Sequence, residues 1–491
     1  MPMRAFTPAR LLLLAGASLL AAPAQADTLR EALAQAYATN PTLQAARAEQ
    51  RAEDENPNIQ RAQGLPGVSA TGQYIEFVKP SPNAFAPTER VFQIGPTLTV
   101  PVYSGGAVKN GVRAARERVA AGQAALRGTE SAIFSQVVAA YMDVLRTQAL
   151  VALNTNQVSV LSVNLEATRD RFEIGDLTRT DIAQSESRLA LAIGDLRNAE
   201  AALIQARESY IQLVGSAPDD LQPPPPLPNL PDSPAVAVEV ALENNPDLIA
   251  ARERAQAAGY DVKVAGAGRL PSVSLFAGLD YNDYFGTLAG GQPGLVQTET
   301  TADAGVRFSI PIFQGGLPAA RQRAATQRES AALEQVIAAE RDVIAQTRAA
   351  FSSYLASLQV IESSQAAVLA AELSLEGVRA ENSIGNRTIL DVLNAEQELL
   401  LARAQLVTAR RNAYVAGFSL LAAMGRAEAR DLGLDEGLLY DPVANYQRVD
   451  GRVWDWDRDP RPTARSTRTV DIPAPDASVP ALDPGDVAPP R

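Results

Sequence analysis

Two aspartates recur at one interval. Asp181 lies in "IGDLTRTDIAQSESRLA" (Ile174 to Ala190) and Asp391 in "IGNRTILDVLNAEQELL" (Ile384 to Leu400); Asp181 and Asp391 are 210 positions apart, and so are Gly175 and Gly385. The chain has no histidine and no cysteine. That removes the commonest general base, the commonest transition-metal ligand and every thiol or disulfide. What remains is carboxylate, Ser/Lys or Mg-dependent chemistry, and no convergent acidic pair stands out. No catalytic residue, metal site or cofactor is therefore expected, and the chain does not read as an enzyme. A lone repeated carboxylate can also sit at a helix N-terminus, where the dipole stabilises it.

The whole-chain charge narrows the partners. A formal charge of −12 argues against nucleic acid, which calls for a basic face. Lys79, Lys109 and Lys263 are the only lysines, so arginine carries nearly all the positive charge. At the N-terminus, Arg4 and Arg10 precede an apolar run from Leu11 to Ala22 and then Ala24-Gln25-Ala26. That is the order of a secretory signal, with cleavage expected before Asp27. The apolar run is too short to span a bilayer comfortably, and no later segment reaches the ~20 apolar residues of a spanning helix.

The elements that must position the aspartates come in two copies. "NNPDLIAARERAQAA" from Asn244 matches "TNPTLQAARAEQRAE" from Thr39, and "RLPSVS" from Arg269 matches "GLPGVS" from Gly64, both at an offset of 205. "IPIFQGG" from Ile310 matches "VPVYSGG" from Val100 at 210, and that offset holds through Gly215 and Gly425. The chain is thus a tandem duplication. Residues 1–26 form the signal, 27–215 the first repeat, 216–234 a Pro-rich linker and 235–425 the second repeat. Residues 426–457 form a waist segment, in which Trp454 and Trp456 are expected to pack on the waist. Residues 458–491, rich in proline and polar residues, read as disordered.

Each repeat opens with a short helix broken at Asn-Pro. Two alternating stretches follow. Phe92, Ile94, Leu98, Val100 and Val102 oppose Gln93, Thr97 and Thr99; Ala302, Ala304, Val306, Phe308, Ile310 and Ile312 oppose Thr301, Asp303, Arg307 and Ser309. Partner strands are expected near Val68 to Phe77 and Val273 to Tyr281. Period two over about ten residues, with Tyr74, Phe77, Tyr281, Tyr284 and Phe285 near the hairpin loops, fits membrane strands with an aromatic belt. The rest of each half lacks proline, from Val102 to Ala217 and from Ala319 to Asp441. A heptad run from Ile133 to Phe172, repeated from Val343 to Asn382, predicts a coiled-coil hairpin turning at each glycine corner. Its small or polar seam residues Thr147, Asn154, Ser357 and Ser364 suit helices that pack on two neighbours around water. Pro57, aligned with Val262, is expected to break a helix that runs on in the second half.

Four strands cannot close a barrel, and open edges cannot sit in lipid. Membrane strands would therefore require assembly; three copies would give twelve strands above twelve long helices. A soluble coiled-coil rod would leave the alternating hairpins unexplained. A periplasmic adaptor or scaffold protein, the alternative reading, would show one helical hairpin flanked by small β domains.

"NPDLIAARERAQAA", "RLPSVS", "IPIFQGG" and "IGNRTILDVLNAEQELL", with their first-half counterparts, make the chain resemble the TolC-like outer-membrane efflux protein family from roughly Thr28 to Gly425. The resemblance implies a mixed fold: long antiparallel helical hairpins forming an α-barrel in the periplasm, continuous with a trimeric 12-stranded β-barrel in the outer membrane. It implies an exit duct for efflux or type I secretion, working with a periplasmic adaptor and an inner-membrane transporter. It places an acidic constriction at Asp391, where carboxylates of the copies would raise one another's pKa and attract cations. Many members carry a second aspartate where this chain has Asn394, so one charged ring is expected to be lost. In the family, the position of Arg387 ties the inner hairpin to its neighbour through residues matching Thr180 and Asp181; the usual aromatic partner is replaced by Asn382. The corner residues Ile174, Gly175, Asp176 and Leu177, with Ile384, Gly385 and Asn386, match where members receive the adaptor's hairpin tips.

Overall fold

The computed structural model describes residues 28–79, 85–434 and 439–479. The expected signal sequence, the tip of the first hairpin loop and the end of the expected disordered tail lie outside them. The first half contains α1 (Leu29–Thr39), α2 (Pro41–Glu53), α3 (Asn56–Ala62), β1 (Gly67–Glu76), β2 (Arg90–Ser104), α4 (Ala107–Glu173) and α5 (Arg179–Val214). The second repeats the order with α6 (Pro234–Asn244), α7 (Pro246–Ala267), β3 (Ser272–Asp283), β4 (Thr298–Ser309), α8 (Leu317–Ser383) and α9 (Ile389–Ala423). A short α10 (Ala444–Val449) follows. Pro57 does divide the first copy: α2 stops at Glu53 and α3 restarts with the proline in its first turn, whereas α7 runs unbroken for 22 residues.

Both Asn-Pro motifs are joints. Asn40 accepts from the N–H groups of Thr42 and Leu43, capping α2, while its amide donates to Leu213 O at the end of α5 at 3.0 Å. Asn245 caps α7 through Asp247 and Leu248 and donates to Ala423 O at 3.0 Å at the end of α9. One buried side chain thus serves orphan donors of one helix and an orphan carbonyl of another.

The four strands form one antiparallel sheet in the order β1-β2-β3-β4. Pairing of Val68 with Leu98, Leu98 with Ala277 and Ala277 with Ala304 puts these on one face. The same parity gathers Phe92, Ile94, Val100, Leu275, Leu279 and Val306 there. The other face carries Thr71, Gln73, Gln93, Thr97, Asp280, Asp303 and Arg307. One face is apolar and the other polar, yet much of the apolar face is exposed, Val68 at 74% and Val306 at 65%. Both outer strands are open edges. β4 stops at Ser309, short of the expected Ile312, because its partner β3 begins at Ser272 and nothing pairs beyond it.

α4 and α8 are each 67 residues, roughly 100 Å at 1.5 Å per residue. They begin immediately after the glycine pairs Gly105-Gly106 and Gly315-Gly316 that end the strands' trailing segments. No described helix is long and apolar enough to cross a membrane. The main core lies at the waist, where Phe134, Tyr141, Tyr210 and Phe418 are fully buried among α1, α4, α5 and α9. The linker lies on this core: Tyr141 donates to Gln222 O and Tyr414 to Pro225 O.

After α9 the chain climbs the outside of the molecule. Glu428 pairs with Arg127 of α4, Tyr440 N–H donates to Tyr37, Asn445 donates to Asp54, and Asn58 of α3 donates to Val449 O. Trp454 and Trp456 do not pack on the waist; each is 72% exposed, because the turn that carries them is held by its backbone and charged neighbours. The chain then descends. Residues 458–479, expected to be disordered, have no helix or strand but are tied down. Arg207 of α5 donates to Asp476 O at 2.6 Å and Ser478 O at 2.8 Å, and Val479 packs on the waist core.

Candidate functional site

The two helical corners are built alike. Gly175 follows the end of α4 and Gly385 that of α8, with φ of +84° and +82°. Glycine adopts this left-handed conformation without penalty. It lets Asp176 N–H reach back to Arg171 O and Asn386 N–H to Glu381 O, both at 2.9 Å, closing the last turns. An ion pair ties each corner. Arg171 meets Asp176 at 2.6 Å in the first, and Arg387 Nε meets Glu381 at 2.7 Å in the second.

Asp181 and Asp391 occupy the same position in α5 and α9. Each is the third residue of a capping box. Asp181 Oδ2 accepts from Thr178 N–H and Oγ1–H, both at 2.8 Å; Asp391 Oδ2 accepts from the same groups of Thr388 at 3.0 and 2.7 Å. The Thr-x-x-Asp spacing carried this signal and was legible. Within one copy these bonds, led by the Thr388 hydroxyl, hold the Asp391 carboxyl below its ordinary value, with Arg387 adding to the effect. The upward push expected from other copies' carboxylates has no source inside a single chain. Both aspartates are partly exposed.

The other expected residues fall around these corners. Asn382 donates to Arg387 O at 2.8 Å, so it braces its own turn. Arg387 remains 49% exposed, and Thr180 is exposed. Asn394 accepts from Arg188 of α5 at 2.7 Å, a link between the two helical hairpins that sequence reading missed. Beside it Leu393 packs on Leu161 and Ala192. Ile174 and Ile384, flanking the glycines, are 81% and 71% exposed. Gly175, Asp176, Gly385 and Asn386 are exposed and Leu177 half-buried. The corners therefore present two apolar side chains and a set of charges at one end of the molecule, about 100 Å from the sheet. Among the described residues no group of three or more Asp or Glu side chains could hold a metal.

The seam residues settle differently. Thr147 and Ser364 are buried within one chain, and Thr147, Asn154 and Ser357 bond to carbonyls of their own helix.

The family model for outer membrane efflux proteins matches residues 32–216 and 237–426, the two repeats. The outer membrane efflux protein BepC of Brucella suis is 36% identical over 443 residues, covering 89% of this chain and 93% of that protein. The outer membrane protein TolC of Escherichia coli is 26% identical, over 86% of each chain. The outer membrane channel CmeC of Campylobacter jejuni superposes with a TM-score of 0.72 at 17% identity, covering 86% of this chain and 88% of that one. Duplicated hairpins, a two-faced sheet with open edges and these matches agree: the chain belongs to the outer membrane efflux protein family, as a channel protein of the outer membrane with a long periplasmic helical extension.

Proposed function

We propose that three copies assemble into one exit duct for small molecules, gated at the helical corners and opened with a periplasmic adaptor and an inner-membrane transporter. One observation carries this reading: a sheet with an apolar and a polar face, open at both edges, is followed at the ends of β2 and β4, after short segments that close on a glycine pair, by two helices of 67 residues. Unpaired edges in lipid cost several kcal/mol per backbone group, so β1 of one copy pairs with β4 of the next. The helices support the same count. α4 buries 22 of its residues and α8 only 8 at equal length, which leaves α8 apolar side chains such as Leu333, Leu369 and Leu373 exposed for a neighbouring copy.

At the corners, Asp391 of each copy faces the axis and forms a ring of three carboxylates, ionised because Thr388 holds the proton affinity down. Arg387 keeps donors for Thr180 and Asp181 of the neighbour beyond the one it gives to Glu381. The Arg188–Asn394 bond ties the hairpins of one copy. Opening swings α8 and α9 away from α4 and α5, a hinge motion between two packed states. Ile174 and Ile384 with their glycines receive the adaptor.

The test is single-channel current from purified protein in a planar bilayer, wild type against Arg387→Ser. The expected result is a small, cation-favouring conductance that rises several-fold in the variant, from a particle of trimer mass. A conducting pore indifferent to the substitution would remove Arg387 from the gate. A well-folded monomer without conductance would remove the duct.

A further inference from the structure

The C-terminal segment makes an excursion that the duct does not explain. It leaves the waist, rises along α2 and α3, turns at residues 451–458 and comes back down. The ascent is fixed by Asn58 donating to Val449 O at 2.8 Å and by Arg61 against Asp450 at 2.5 Å. The turn is closed by Asp457 N–H on Trp454 O at 3.0 Å, and the descent begins where Asp459 meets Arg448 at 3.0 Å. At the apex, Val453 is 67% exposed and Trp454 and Trp456 72% each. They are the only two tryptophans of the chain.

The height of this apex can be read from its support. Gln60, next to Arg61, lies against Gly111 of α4, and Gly64 against Val108. Gly111 is four residues into α4, about 6 Å along the axis from the start of that helix, which follows the last residue of β2 after one glycine pair. The headgroup layer of a bilayer is roughly 5–8 Å deep on each side of the hydrocarbon. The turn is therefore held level with the periplasmic headgroups of the membrane that the sheet crosses. Tryptophan favours that layer, with its ring in the acyl boundary and its N–H in the wet zone. Four of the neighbouring charges are paired locally, Arg452 with Asp457 at 3.1 Å and Arg448 with Asp459, while Asp455 and Arg458 are exposed. Pairing lowers the cost of bringing them near a low dielectric.

We propose that Trp454 and Trp456 form an interfacial anchor that seats in the periplasmic leaflet of phospholipid and sets the height and tilt of the duct. The occupant is lipid because the turn is held by α3 beside the first residues of α4, where the sheet ends, and carries two exposed tryptophans there. The proposal rests on the sheet crossing the outer membrane.

Intrinsic fluorescence reads this turn alone. The full-length mature protein would be reconstituted into vesicles of phosphatidylethanolamine and phosphatidylglycerol carrying brominated acyl chains, and the same vesicles assayed for conductance. Bromines near the headgroup end should quench the emission at least twofold, more than bromines deep in the chain, while aqueous iodide quenches weakly. Single Trp454→Phe and Trp456→Phe variants assign the signal to each ring. Strong iodide quenching with no effect of bromine places the turn in water and overturns the anchor. Resistance to both quenchers places the rings against a neighbouring copy and also overturns it. Conductance in either case leaves the duct standing, so the two readings fail separately.

Discussion

Replacing Arg188 with alanine removes the bond that α5 gives to Asn394 of α9 at 2.7 Å. Both side chains have access to water, so the bond is placed at about 1 kcal/mol net, the value of an ordinary hydrogen bond and below that of a buried one with a charged donor. The loss occurs once per copy. If the three copies open together, the closed state loses about 3 kcal/mol, roughly a hundredfold in the ratio of open to closed channels. The apolar contact beneath, Leu393 on Leu161 and Ala192, is untouched and keeps the hairpins folded. Single-channel recording gives the ratio directly from dwell times. Asn394→Ala should match Arg188→Ala, and the double variant should add little, because both remove one bond. Asn394→Asp should act oppositely, turning the contact into an ion pair and lengthening closed dwells. Unchanged dwell times in both alanine variants would refute the idea that hairpin-to-hairpin bonds hold the tip shut. Additive effects would show that Arg188 acts through charge in the lumen instead.

Two further expectations concern stability. Asn40→Ala and Asn245→Ala should each lower stability by about 1–2 kcal/mol through loss of a cap, and by similar amounts since the two joints share one geometry; denaturant unfolding of each variant measures this, and a large inequality would separate the two halves energetically. Glu130 is pushed above its ordinary value by burial, partly offset by the N–H of Ala429. A raised carboxyl favours its protonated form in the fold, so its stabilising contribution is present below the unfolded value near 4.5 and fades as pH rises through the folded one. Glu130→Gln keeps an acceptor for Ala429 and should flatten the fall of Tm with rising pH above 4.5; an identical slope would assign the pH dependence elsewhere.

The long features were legible because they are periodic. Duplication, heptads and strand alternation each repeat a physical constraint many times, so single exceptions such as Pro57 stand out against the register. The short features were not, because they depend on one contact. Nothing in the composition of residues 458–479 tells that Arg207 will capture Asp476 and Ser478. Nothing about Trp454 and Trp456 tells whether a backbone turn will face them inward or out. The corners are the exception: a capping box lies within four consecutive residues, so the Thr-x-x-Asp spacing alone tells which threonine fixes each aspartate in place.

The shared capping box bears on how a duplicated protein comes to differ in its two halves. Asp181 and Asp391 have the same structural duty, and the same two bonds to a threonine satisfy it. Capping spends one carboxylate oxygen and leaves the other, so a site maintained for helix stability already carries an acidic group at the helical corner. The two corners diverge around this shared core. Position 171 is arginine and its counterpart 381 glutamate, with the opposite charge placed across each turn, at Asp176 and at Arg387. The swap preserves the tie and moves the basic side chain to the far side of the second glycine. There it stands close enough to Asp391 to favour its ionised form. Specialisation of the second hairpin thus requires no new fold element: Glu381 replaces Arg171, Asn386 stands where Asp176 was, and the base moves one residue on, to Arg387 in place of Leu177.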